Sequence, residues 1–159
     1  MIILGIDPGF ARLGFAIIKK EVGKITLLEA GTVETDKKEI HHNRLLEIET
    51  CIRAIIKKWH PTVLSIERLF FAGNQKTAIP VAEARGVILL TAARENLTVY
   101  EYTPPQMKLA VTGSGKADKQ AVQKMVFLTL GLKTSVMVDD TTDAIALAIT
   151  AAYNKLSQS

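Results

Sequence analysis

Met1 to Asp7 is an apolar run that stops at Pro8-Gly9, a turn signal, and Leu13 to Lys20 and Ile25 to Thr35 are two further runs with brief polar connections. Three short strands joined so tightly predict an antiparallel meander. From Glu39 the period changes: Leu45, Ile48, Ile52, Ile55 and Ile56 recur at helical spacing, and the segment closes at Trp59-His60-Pro61. Thr62 to Glu67 and Thr98 to Tyr102 are β-branched and apolar and predict strands. Gln75 to Asn96, between them, predicts a long helix in which Pro80 must sit in the first turn or kink the axis. A strand, a helix and a strand in succession fit a parallel crossover. Thr103-Pro104-Pro105 reads as an N-cap followed by proline at the first helical position, opening a short helix that ends before Gly113-Ser114-Gly115. Asp118 can cap another helix that stops at Gly131, and a last one begins near Asp139 or Asp140 and runs to about Leu156. The sum is an α/β fold: a five-stranded mixed sheet, three strands antiparallel and two added by helical crossovers, flanked by helices.

With 159 residues, 48% of them hydrophobic, the chain can bury one sizeable core but is short for two, so residues 1–159 are expected to form a single domain. Lys and Arg number 20 against 16 Asp and Glu, a surplus of four that permits a nucleic-acid partner without demanding one. Its position says more than its size. Residues 104 to 133 hold Lys108, Lys116, Lys119, Lys124 and Lys133 against the single acid Asp118, so this stretch carries the whole surplus. The lone Cys51 cannot form an intramolecular disulfide, no secretory pattern opens the chain, and no apolar run approaches the ~20 residues of a membrane span. A cytoplasmic protein with no membrane partner is expected.

Asp7 ends the first strand and Glu67 ends the first crossover strand. If those strands lie side by side and parallel, both carboxylates emerge at one edge, the edge where ligands of α/β sheets collect. Asp140 and Asp143, three residues apart, share a face in the first turn of the last helix. Each feature also has a plain reading. Asp7-Pro8-Gly9 makes a good turn, Glu67 can mark where a strand reaches solvent, and acids at a helix N-terminus complement its dipole. Several carboxylates at one edge would, however, repel one another unless a cation stood between them. Oxygen ligands suit Mg²⁺ or Mn²⁺, and the His/Cys spacing of a zinc site is absent. Two such ions ~4 Å apart can drive phosphodiester cleavage. Acids of this kind beside a lysine-rich segment describe a nuclease.

Four segments, ILGIDPGFARLGFAII, SIERLFFAGNQKTAIPVAEARGVI, YTPPQMKLAVTGSGKADKQAVQKMV and DDTTDAIALAIT, resemble in order the conserved blocks of the bacterial crossover junction endodeoxyribonucleases of the RuvC family. They span almost the whole chain. The resemblance implies a ribonuclease H-like fold and a homodimer. It also implies Mg²⁺-dependent symmetric nicking of two like-polarity strands of a Holliday junction, the four-way DNA junction, in recombination and repair. Two Mg²⁺ per site, with Mn²⁺ as substitute, and the branch-migration proteins RuvA and RuvB as partners follow from it too. The family's catalytic, metal-binding acids fall on Asp7, Glu67, Asp140 and Asp143. Asp140 is preferred to Asp139 because the family places an acid three residues ahead of the Asp-Ala that opens its last apolar helix. The family's lysines near the active site fall on Lys108 and Lys119, and its junction-wedging aromatic falls on Phe70. Thr141-Thr142 stands where many members have alanines.

For Phe70-Phe71 core or lid packing is the plain alternative to stacking on an unpaired base, which is worth ~1–3 kcal/mol. The lysines, Lys116 among them, can form a solvated face. Arg12 can contact phosphate or pair with an acid, and is counted with Phe70, Lys108, Lys116 and Lys119 as DNA-binding. Gly113-Ser114-Gly115-Lys116 is not a P-loop, since Ala110 and Ala117 replace the required Gly and Ser or Thr. Three rivals remain: a nuclease of ribosomal RNA precursors, an actin-like ATPase, which needs two such domains, and a non-catalytic junction-binding module.

Overall fold

The computed structural model describes residues 1–69, 75–132 and 139–154, the side chains of 75–77 and 139 aside. Five strands, β1 (Ile2–Asp7), β2 (Arg12–Glu21), β3 (Lys24–Glu34), β4 (Val63–Glu67) and β5 (Thr98–Tyr102), form one sheet in the order β3-β2-β1-β4-β5. β1 and β2 pair antiparallel, as do β2 and β3, while β4 lies parallel to β1 and to β5. The meander and both parallel additions are those that the apolar runs predict. Five helices accompany the strands: α1 (His41–Trp59), α2 (Gln75–Arg94), α3 (Pro104–Thr112), α4 (Lys119–Leu130) and α5 (Asp139–Tyr153).

Local chemistry sets several of the helix ends. Thr103 forms a full capping box with Gln106 ahead of Pro104, so two backbone N–H groups at the start of α3 are satisfied by side chains. The Asp118 carboxylate accepts from Ala121 N–H at 2.8 Å and starts α4. Pro80 lies inside α2 and beyond its first turn, so of the two placements expected for it the first-turn one does not hold.

Strand pleating sorts the core into two layers, because successive side chains point to opposite faces. On one face Leu4, Ile6, Ile17, Leu64 and Ile66 meet Ile48, Ile52 and Ile56 of α1 and Ala84, Ile88 and Ala92 of α2. On the other, Ile3, Ala16, Ile18 and Val63 meet α3, α4 and α5, the last through Ala144, Ile145, Ala148 and Ile149.

α5 lies unusually close to the sheet. A Cβ at Gly5 would stand 2.2 Å from the Ala144 carbonyl oxygen, and one at Gly14 would stand 1.9 Å from that of Asp140. Neither position can carry a side chain without moving the helix. Ser65, buried on β4, donates to the Leu147 carbonyl at 2.6 Å and ties the same helix to the sheet from the other side.

Candidate active site

The register between β1 and β4 aligns Ile3 with Val63 and Ile6 with Ile66, so the strands run level and their last residues, Asp7 and Glu67, stand at one edge. Parity then decides direction. Ile3 and Gly5 face α5, as do Val63 and Ser65, so two residues further on Asp7 and Glu67 face it as well. The first turn of α5 brings Asp140 and Asp143 to the same place, held there by the contact of Asp140 backbone with Gly14, which is itself paired with Asp7.

The consequence is electrostatic. Burial, followed by the charges of Glu67, Asp143 and Asp140, pushes the Asp7 carboxyl up to about 8 from its ordinary 3.8, and only the Lys119 ammonium acts to lower it. Burial, with Asp143 again, also raises the Glu67 carboxyl. A carboxyl held neutral near pH 7 by neighbouring acids marks a place where positive charge is missing. Among the described residues no three acidic, His or Cys side chains are gathered closely enough, as they stand, to hold a metal ion. Asp140 is engaged by Arg12, whose Nε donates to its Oδ2 at 2.5 Å. The donor set itself is all carboxylate oxygen, with Asp7 and Glu67 both short of compensating charge, and fits a hard divalent cation.

The predicted basic residues stand on several different elements. Lys119, at the start of α4, belongs to the site: it acts on Asp7 and, with Gln120, Gln123, Thr142 and Asp143, lines a small cavity of about 130 Å³. Arg12 reaches the site through Asp140. Lys108 is half-buried on α3, and Lys116 is exposed in the loop before α4. Phe70 and Lys133 lie outside the described residues.

Two positioning features escape sequence reasoning. Arg85, on α2, donates from Nε to the Glu67 carbonyl at 3.0 Å and pairs with Glu101 of β5, clamping the end of β4. Gly5 and Gly14 are the other feature, since they set the depth of α5. Neither has a spacing signal: an arginine in an apolar helix and a glycine in a strand acquire meaning only from what lies across the sheet.

Residues 3–151 match the family model for the crossover junction endodeoxyribonuclease RuvC. The RuvC of Caldicellulosiruptor saccharolyticus is 46% identical over 150 residues, covering 94% of this chain and 90% of its own. That of Alkaliphilus metalliredigens is 43% identical over 159 residues, covering 100% of this chain and 97% of its own. In three dimensions, Thermus thermophilus RuvC gives a TM-score of 0.87 at 33% identity, covering 96% of this chain and 95% of that one. The T. thermophilus RuvC in complex with Holliday junction substrate gives 0.90, also at 33% identity, covering 96% and 93%. The five-stranded mixed sheet with its flanking helices is thus the ribonuclease H-like fold of these resolvases. The chain belongs to the crossover junction endodeoxyribonuclease RuvC family.

Proposed function

We propose that the edge formed by Asp7, Glu67, Asp140 and Asp143 is the catalytic centre of a single-domain, homodimeric nuclease that resolves Holliday junctions by symmetric nicking. The observation that carries this reading is the Asp7 carboxyl, pushed up to about 8 by burial and by three converging acids. Such a site costs folding energy in the bare protein, and divalent cations would offset that cost. The four acids would hold two Mg²⁺, or Mn²⁺ in their place. When bound, these ions supply Lewis acidity at the scissile phosphate and ease proton loss from the attacking water.

The chain's own groups do the rest. Asp7, deprotonated once positive charge is present, and Glu67 anchor the site from the sheet, while Asp143 and Asp140 close it from the helix. Lys119, already close enough to act on Asp7, would stabilise charge developing on the phosphate, with Lys108 placing the backbone further along. The products are a 5′-phosphate and a 3′-hydroxyl. Phe70, following the end of β4, would stack on an unpaired base at the junction centre. Two subunits provide two such edges, which matches two cuts per four-way junction. RuvA and RuvB, which give the junction its branch migration, are the expected protein partners. Among the described residues no helix is long and apolar enough to cross a membrane, and the cytoplasm is the proposed site of action.

Incubating a synthetic four-way junction with and without Mg²⁺, and mapping cuts on all four strands, tests the reading. Two symmetric nicks that appear only with the metal are expected. Cuts on one strand alone, or cutting in EDTA, would sink it. If the five lysines of residues 104–133 each meet a phosphate, junction affinity should fall with a log–log salt slope of about −4 to −5 per subunit. A slope near zero removes that segment from the interface.

A further inference from the structure

Arg12 opens β2, three residues beyond Gly9, and its Nε donates to one oxygen of Asp140 at 2.5 Å. The pairing is built into the fold, because Gly14, two residues on, seats the Asp140 backbone against β2. Yet it is a loose pairing. Both side chains remain open to water, 46% exposed for Arg12 and 27% for Asp140, and the contact runs through Nε to one oxygen instead of through the planar two-point fork. Ion pairs of this kind hold weakly and exchange readily. Arg12 and Asp140 also line one cavity of about 560 Å³, together with Phe10 and Lys37, so the guanidinium has open space beside it.

We propose that Arg12 is the resident counter-cation of the catalytic edge: it holds Asp140 while divalent metal is absent, yields that carboxylate when metal binds, and then turns to a phosphate of the bound strand. This rests on the reading of the four acids as metal ligands. A guanidinium spreads one positive charge over three nitrogens, whereas Mg²⁺ concentrates two on a small ion, so a carboxylate oxygen exchanges the first for the second. Once released, the guanidinium keeps its charge and its two-point geometry, which suits a phosphate as well as it suits a carboxylate. Two consequences follow. The metal-free edge is spared one uncompensated acid, and a phosphate-seeking charge is exposed only in the loaded site.

The test uses the full-length protein without DNA and reads Mn²⁺ binding by electron paramagnetic resonance. Arg12→Gln should bind Mn²⁺ about three- to fivefold more tightly than the wild type, the scale of one exposed ion pair. Arg12→Lys, which keeps the charge, should return towards the wild-type value. Lys37→Gln removes the same charge from the same cavity and should leave the affinity within about twofold, as one exposed charge in water does. Equal affinity in Arg12→Gln and wild type, or equal tightening in both glutamine variants, overturns the proposal. In the wild type, the Arg12 Nε–H nuclear magnetic resonance signal should be protected from solvent exchange without metal and lose that protection on saturation with Mg²⁺; an unchanged signal also overturns it. For the phosphate half, Arg12→Gln should weaken junction binding about fivefold in Ca²⁺ and less than about twofold in EDTA. An equal loss in both conditions refutes that half. If the wild type takes up no Mn²⁺ at all, the four-acid reading fails and this inference with it, whereas Mn²⁺ uptake indifferent to Arg12 refutes the inference alone.

Discussion

The two faces of the sheet are packed by different rules. Against α1 and α2 the sheet presents large aliphatic side chains, Leu4, Ile6, Leu64 and Ile66, each buried and each worth roughly 1.5–3 kcal/mol of transfer free energy. Against α5 it presents glycines at the positions of closest approach, and the helix answers with Ala144 and Ala148. The first face gains its stability from bulk. The second gives up bulk for nearness, and that nearness brings Asp140 and Asp143 to Asp7 and Glu67. A sheet that carries chemistry on one face can thus have a conventional core on the other, and the two should respond differently to substitution.

The largest effect on cutting is expected from the charge at the centre of the α5 face. Asp7→Asn should lower single-turnover junction cleavage by at least about 10³-fold, the scale of losing a group on which the reaction depends. Because Asp7 is costly to ionise where it lies, the same variant should melt no lower than the wild type in metal-free buffer at pH 8. A variant that still cuts, or one that unfolds, contradicts the assignment.

Moving the helix comes next. Gly14→Ala places a methyl 1.9 Å from the Asp140 carbonyl oxygen, so α5 must shift and take two acids with it. A displacement near 1 Å costs about 10²-fold in rate, with an overpacking loss of roughly 1–3 kcal/mol in stability. If chemical denaturation shows that loss while cutting is untouched, closeness is not what the glycines provide.

The pH dependence is a smaller and graded effect. Asp7 has its folded pKa raised from 3.8 to about 8, so between those values the folded, metal-free protein holds a proton that the unfolded chain has released. Its stability from this group is therefore present at low pH, is lost as pH rises through that window and is lowest above about 8. A metal ion held by Asp7 would have to displace the same proton. Apparent Mg²⁺ affinity should then rise with pH by up to about tenfold per unit and level off near the Asp7 pKa. Titration calorimetry in buffers of different ionisation enthalpy should show proton release below that point. Affinity that is flat from pH 6 to 8 would remove Asp7 from the ligand set.

On the opposite face the expected effect on cutting is the smallest. Ile52→Ala, in the middle of α1, should cost about 2–5 kcal/mol of stability by leaving a cavity. Per folded molecule, cleavage should stay within about twofold, as expected for a site with no shared contacts. A large loss of rate in a folded Ile52→Ala protein would mean that the faces are not independent.

Much of this arrangement is legible along the chain. The alternating and helical periods of apolar residues predict every described strand and helix to within a few residues. Thr103-Pro104 and Asp118 announce their helices through caps that act locally. The four acids stand out because each lies at a strand end or a helix start, and the order of the four blocks carries the family resemblance. Arg12 is open in sequence between a phosphate and an acid, and the fold shows its acid. Pro80 is open in sequence between the first turn of α2 and its interior, and the fold shows the interior, in a helix that packs chiefly on α1. Arg85 gives no sign at all, for its partners are the Glu67 carbonyl and Glu101, on two different strands.

What the sequence determined by itself is whatever rests on nearest neighbours and periodicity: the elements, their caps, and the residue types able to hold a divalent cation. Only the tertiary structure decided that β1 and β4 run level, that Asp7 and Glu67 point to α5 and not to α1, and that Gly5 and Gly14 let α5 come close enough to complete the group. The physical reason is range. Hydrogen-bonded turns and hydrophobic periods act over a few residues. The repulsion that lifts Asp7, by contrast, arises between groups up to 136 positions apart in the chain, at residues 7 and 143, which only the packed sheet makes neighbours.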